Sequence, residues 1–390
     1  MTPADLSRTV LHAVRRAVDE NALRASVPAR VRVERARPGG SGDYACAVAL
    51  QLAGDAGLPA LEVARILRER VAAEPGIGRV EITGPGFLSF TLDAPAAGDR
   101  AVLDAVREQG SAYGHGDALR GEEVRLRHAP EVRAAVTADA VRRLLAAQGA
   151  RVEVSSEEGG DLERSRLGRT AEPRETPPDP FATTIRPVPA HATAAELLER
   201  LGADATRWGL LRPAPRDRAP LGNELLVQGE ANPLFRVRYA YARSRALTRG
   251  AAALGFTSAP DAAPAAHGTA ESAPHPSPVP YEAPTSCVEP IPYAEPTPYD
   301  GSARPLLDLL ADHPGVLLTA ARHRAPDRVA RQLEAVAHAF FDFHGSGSPL
   351  PSGDEKPSAA HRSRLALAEA AGTVLAGGLS LLGISAPEHL

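Results

Sequence analysis

Lysine is all but missing from this chain: Lys356 stands alone among 390 residues, and arginine supplies the rest of the 44 basic side chains. Chemistry that needs two lysines in one short loop is therefore excluded, whereas bidentate phosphate contacts, which arginine makes better, are not. Cysteine is nearly as scarce. Cys46 and Cys287 are far apart and show no CxxC or Cys/His spacing, so neither a zinc site nor a disulfide framework is indicated. Aromatic residues make up 4% of the chain, which leaves Ala, Leu and Val to build the cores. No run of about 18 apolar residues is present, and MTPADLSRTVLHAVRRAVDE carries acids within an amphipathic pattern; the expectation is a cytoplasmic protein with no membrane partner. An excess of positive charge is missing too. With a formal net charge of -4, any binding of nucleic acid has to come from local arginine clusters.

Apolar positions Leu6, Val10, Ala13, Val14 and Val18 recur near a 3.6 period and predict a first helix. VRVER then alternates like a strand. DYACAVALQLAGDAG and LEVARILRERVAAE read as helices, and RVEITGPGFLSFTLD as two strands broken at Gly84-Pro85-Gly86. Residues 1–95 thus predict an α+β domain. AVLDAVREQ, EVRLRH and TADAVRRLLAAQG add a helix, a strand and a helix, after which residues 155–180 are charged, poor in apolar groups and expected to be a linker. From TAAELLERLGADATRWGLL onward the pattern is helical, with one interruption at residues 256–305. That stretch is rich in Pro, Ala and Ser and repeats Pro-Tyr at Pro280-Tyr281, Pro292-Tyr293 and Pro298-Tyr299, which predicts disorder or polyproline II and a surface that could dock a protein partner.

Candidate chemistry is sparse. Gly84 to Gly86 is too short for a phosphate loop and sits between strands, and His115, in GHGD, has no Cys or second His near it in sequence with which to form a catalytic or metal-binding set. No paired carboxylates or metal-ligand spacing stand out, so no catalytic residue, metal or cofactor is assigned. The segment NPLFRVRYAYARSRALTR is richer. Arg236, Arg238, Arg243, Arg245 and Arg249 interleave there with Phe235, Tyr239 and Tyr241, the mixture of cation and flat ring that suits unpaired bases. The same pattern also fits a core helix whose arginines form a solvated face.

Two blocks near the N-terminus, GDYACAVALQLA (Gly42 to Ala53) and VEITGPGFLSFTL (Val80 to Leu92), resemble the N-terminal additional domain of arginyl-tRNA synthetases in order and spacing. Three later blocks resemble the same family's α-helical anticodon-binding domain, called DALR: GADATRWGLLR, NPLFRVRYAYAR and LALAEAAGTVLAGGLSLLGISAPEHL. Between such ends, family members carry a nucleotide-binding domain with a HIGH motif and a KMSKS-like loop. Here EVRLRHAPEVRAAVTADAVRRLLAAQGARVEV resembles only its first strand and helix, and His128 stands alone where two histidines and a glycine belong. The interval from Gly121 to Pro189 is too short for a doubly wound sheet at about 30 residues per βαβ unit. The single lysine, far downstream, forbids a KMSKS loop.

The fold expected is therefore an α+β N-terminal domain (1–95), a reduced α/β remnant with linker (96–195) and a C-terminal all-α helical bundle of the DALR type (196–390) carrying the Pro-rich insert. The resemblance implies a tRNA-binding, non-catalytic relative of the synthetase. Open alternatives are a scaffold that docks an authentic synthetase or another protein, and an arginine-tRNA ligase in the full sense. By resemblance, tRNA would be met by Phe87 and Ser89, the latter where the family has Asn, and by Arg236, Arg238, Tyr239 and Arg243, with Arg238 at a family Gln. From pattern alone Phe87 is equally a core residue.

Overall fold

The computed structural model describes residues 3–36, 42–72, 74, 76–92, 95–157, 182–258 and 301–389. Its first unit comprises α1 (Pro3–Asp19), β1 (Val33–Arg35), β2 (Tyr44–Cys46), α2 (Val48–Ala56), α3 (Ala60–Val71), β3 (Ile77–Thr83) and β4 (Phe87–Leu92). The strands form an antiparallel sheet in the order β1-β2-β4-β3. Leu6, Val10, Ala13 and Val14 of α1 are fully buried with Leu67, Leu88 and Phe90, as the helical period requires. One element differs from the pattern. Tyr44 to Cys46, read as the start of a helix, form a strand because β1 and β4 both pair with them, and their burial alternates accordingly. Tertiary pairing overrides local helical preference here.

The second body begins with α4 (Pro95–Gln109) and continues through β5 (Glu123–His128), α5 (Val132–Ala147), β6 (Arg151–Ser156) and β7 (Thr183–Ile185). The three strands are parallel, in the order β6-β5-β7. Helix α5 covers one face through Leu126. Parallel sheets ordinarily carry helices on both faces, but here Arg125 faces Glu153 and Arg151 faces Glu123 across the strands, each pair at 3.7 Å. A charged face of this kind favours water over a second layer of helices.

Helices α6 (Ala194–Leu211), α7 (Pro233–Ala253), α8 (Arg304–His323), α9 (Asp327–Gly345) and α10 (Ala359–Leu382) complete the body. One apolar cluster runs from Val102 on α4 to Ile384 after α10, so the small sheet and the helices share a core. Few aromatics are needed because the helices approach closely on small residues: a Cβ at Gly378 would lie 2.5 Å from Leu333. Helix α10 is long and apolar enough to cross a membrane by composition, yet 72% of its most apolar window is buried against the neighbouring helices, as in a core helix.

Arg133 ties the sheet to the helices. It is 1% exposed and donates to five carbonyl oxygens, those of Val188, Leu210, Pro213, Ala214 and Asp217, at 2.6 to 3.2 Å. Burial lowers the pKa of its guanidinium, and nearby carboxylates, Glu131 first, oppose that.

Two expected boundaries shift. The linker was placed from residue 155, but Ser155 and Ser156 extend β6 and Glu157 N–H donates to the His128 carbonyl at 3.0 Å; the remainder, 158–181, lies outside the described residues. The Pro-rich insert was placed at 256–305, but Phe256 is buried beneath Arg362, and Ala303 is fully buried just before α8. A single apolar side chain at each edge is enough to be captured by the core. The Pro-Tyr repeats at 280–299 lie outside the described residues.

Candidate nucleic-acid interface

Helix α7 starts where Asn232 caps it, its side-chain oxygen accepting from the N–H groups of Leu234 and Phe235 while its amide donates to the carbonyls of Leu225 and Val227. This fixes the rotation of the helix. Leu234, Val237 and Ala240 turn into the core, and Phe235 and Tyr239 turn outward. Phe235 stacks on Tyr239 at 5.7 Å, Tyr239 on Phe341 of α9 at 5.5 Å, and Phe341 meets Phe340 edge-on at 5.6 Å. Tyr239, an inner ring of the ladder, is 44% exposed, so the ladder is accessible from solvent along its side.

Two of the arginines border this ladder. Arg236 donates to His338 Nδ1 at 2.7 Å, and Arg243 to His344 Nε2 at 3.4 Å. Since arginine can only donate, each imidazole accepts at that nitrogen. Burial, and after it the nearby Arg243 and Arg364, lower the pKa of His344. Neither guanidinium is bonded to a carboxylate among the described residues, although Asp342 lies 3.5 Å from the far nitrogen of His338. The result is an aromatic platform flanked by uncompensated positive charge.

The other arginines are placed differently. Arg238 donates to Asp204 of α6 at 2.9 Å and to Ser385 at 2.8 Å, and Ser385 N–H in turn donates to Asp204, which pins the segment after α10. Its charge is thus balanced inside the fold, unlike that of Arg236 and Arg243. Arg245 and Arg249 reach Glu388 at 3.2 and 3.5 Å.

In the N-terminal unit, Gly86 turns the chain with φ +136° and lies so close to Ala60 that a Cβ would stand 3.0 Å from its carbonyl. That turn lifts Phe87 onto the surface, 37% exposed, while Leu88 and Phe90 enter the core. The open alternative for Phe87 is thereby decided against the core. Ser89 is 4% exposed and shares a 2.9 Å hydrogen bond with Thr83, which is a correction: its hydroxyl is not offered at the surface.

At the C-terminal edge of the small parallel sheet, where such folds hold nucleotides against a helix N-terminus, α5 is capped by a carboxylate of its own. The Glu131 carboxylate accepts from Ala134 N–H at 3.0 Å and from Ala190 N–H at 2.8 Å. Among the described residues the His128 side chain bonds only to the neighbouring Ala129 carbonyl. No group of three metal-ligating side chains occurs among the described residues.

The family described as "Arginyl tRNA synthetase N terminal domain" matches residues 5–92, and "DALR anticodon binding domain" matches residues 288–390. The chain thus carries the N-terminal and the DALR domains found in arginyl-tRNA synthetases. A curated family relative named arginine-tRNA ligase, from Frankia alni, is 26% identical over 584 aligned residues that cover all of both chains. Because this chain has 390 residues, a large part of that alignment has no counterpart in it. The ligase of Kineococcus radiotolerans is 42% identical over 165 residues, 39% of this chain and 29% of its own. The fold is that of the Thermus thermophilus arginyl-tRNA synthetase, with a TM-score of 0.62 at 16% identity over the full length of both chains.

Sequence reading missed His338, Phe341 and His344. They recur at i, i+3 and i+6 in AHAFFDFHG, and helical phasing of that segment would have found them.

Proposed function

We propose that this chain binds tRNA and does not activate arginine. The observation that carries the second half is the Glu131 carboxylate at the start of α5: it accepts from Ala134 N–H and from Ala190 N–H, so an incoming phosphate would face that negative charge and find Ala134 N–H already engaged. The charged second face of the small sheet supports the same reading, since it leaves no apolar surface on which further layers of a nucleotide-binding domain would pack. Binding is supported by the DALR match and by the ladder of Phe235, Tyr239 and Phe341 between Arg236 and Arg243, with Phe87 as a second contact on the N-terminal unit. The domain division at about residues 95 and 195 belongs to this proposal, as does a cytoplasmic site of action.

A full arginine-tRNA ligase is the second reading, favoured by the full-length relatives that bear that name. A scaffold acting through the Pro-Tyr repeats is the third. Gel shift of the whole protein with a tRNA pool at low and moderate salt, run beside arginine-dependent ATP-pyrophosphate exchange with and without tRNA, separates the three. We expect a salt-sensitive shift and no exchange. Exchange that is lost on denaturation would establish the ligase, and no shift at low salt would favour the scaffold.

A further inference from the structure

A cleft of about 770 Å³ lies between the two cores, walled on one side by α1 and the segment leading into β1 and on the other by α8 and the first turn of α9. Its charge is unbalanced. Both carboxylates that line it are paired, Asp5 with Arg8 at 2.6 Å and Asp117 with Arg120 at 3.3 Å, whereas the side chains of Arg30, His323 and Arg328 have no hydrogen-bond or ion-pair partner among the described residues. The neighbouring cations tell on Arg30: burial, then Arg322 and Arg32, lower its pKa. Arg328 stands in the first turn of α9, where the helix dipole disfavours a cation, and the carboxylate beside it, Asp327, is engaged with Arg331. Like charges gathered in a concave site without partners are what an anionic ligand would neutralise.

The opposite wall is built to be bare. Pro314 and Gly315, both poor helix formers, stand in the middle of α8. Pro314 cannot donate to the Leu310 carbonyl four residues earlier, and the Tyr113 hydroxyl does so instead at 3.0 Å. Packing does not require the glycine, because a Cβ at 315 would meet nothing within 4 Å. Gly315 and Leu318 line the cleft there, and the missing side chain leaves open space in front of the helix.

We propose that this cleft binds a nucleoside polyphosphate, with Arg30, His323 and Arg328 on the phosphates and the base against the wall at Gly315. The site is separate from the α7 and α9 aromatic face and from the α5 terminus, and the proposal does not rest on either.

Calorimetric titration of the full chain with ATP, GTP and inorganic pyrophosphate tests it. One saturable site is expected, tighter for the nucleotides than for pyrophosphate, and weakened about tenfold or more by Arg30→Glu or Arg328→Glu, each of which reverses a charge that would contact phosphate. Gly315→Leu should abolish binding by filling the cleft, with the melting temperature kept or raised because leucine is the better helix former. Absence of saturation with all three probes overturns the proposal. So does retention of binding in Arg30→Glu, an exposed position whose change leaves the fold intact. RNA backbone is the other source of phosphate. If the charge reversals weaken tRNA binding while no nucleotide binds, the cations serve RNA and the nucleotide site is refuted.

Discussion

The face of α7 and α9 and the first turn of α5 are both rich in arginine, histidine or acid, and they treat charge in opposite ways. On α7, Arg236 and Arg243 donate to imidazole nitrogens rather than to carboxylates and keep their charge available at the surface. Around α5, Glu131 and Arg133 spend theirs on the protein's own backbone, Glu131 on N–H groups and Arg133 on five carbonyls. The same residue types thus face solvent in one place and hold the protein's own backbone in the other. What separates them is whether the polar atoms they could offer a ligand are already satisfied.

The largest expected effect comes from breaking the inward side. Arg133→Met should lower the free energy of unfolding by on the order of 3 to 5 kcal/mol in urea titrations, since several buried carbonyls lose their donor at once. A loss below about 1 kcal/mol would mean that water replaces the guanidinium. His313, 1% exposed and stacked on Tyr113 at 6.0 Å, sharpens the same point through pH. Burial, and after it His115, pushes its pKa down to about 4. An unfolded histidine protonates near 6.5, so between those values the unfolded chain binds more protons. Stability should therefore be fully present above about pH 6.5 and fall as pH drops toward 4, by up to about 3 kcal/mol. His313→Leu should flatten that acid limb; an unchanged limb would assign it to other groups.

The outward side should respond in binding and leave folding nearly untouched. Tyr239→Ala and Phe87→Ala are each expected to cost about 1 to 3 kcal/mol of tRNA affinity in filter binding if they stack on bases. A loss of folding stability without a loss of affinity would return either ring to a structural role. The smallest effect separates the arginines. Arg236→Ala and Arg243→Ala should each reduce the salt slope of tRNA binding by about one unit, whereas Arg238→Ala, already bonded to Asp204, should leave the slope unchanged. Equal slopes for all three would erase the distinction drawn between them.

How far the sequence discloses this depends on how local each signal is. The helical periods of α1 and α7 and the Gly84-Pro85-Gly86 turn are carried by neighbouring residues and could be read directly. The strand at Tyr44 to Cys46 could not, because its pairing partners lie on β1 and β4. Ser89 is polar by type but buried by its place between flanking strands, and Arg238 looks like its neighbours until Asp204 and Ser385 are brought beside it. Glu131 is the clearest case: nothing in APEVRAA says that the carboxylate will close its own helix and also catch Ala190, because the second donor comes from a segment beyond β7. Absence of a HIGH-type turn was legible; what stands in its place required the fold.

Binding and charging measured on one sample test the central claim most directly. Full-length protein saturated with tRNA, as judged by filter retention, is incubated with ATP and labelled arginine, and the retained tRNA is assayed for esterified arginine. The account predicts tRNA that is bound, released by salt and uncharged. Arginine esterified to that tRNA above a heat-denatured control would contradict it.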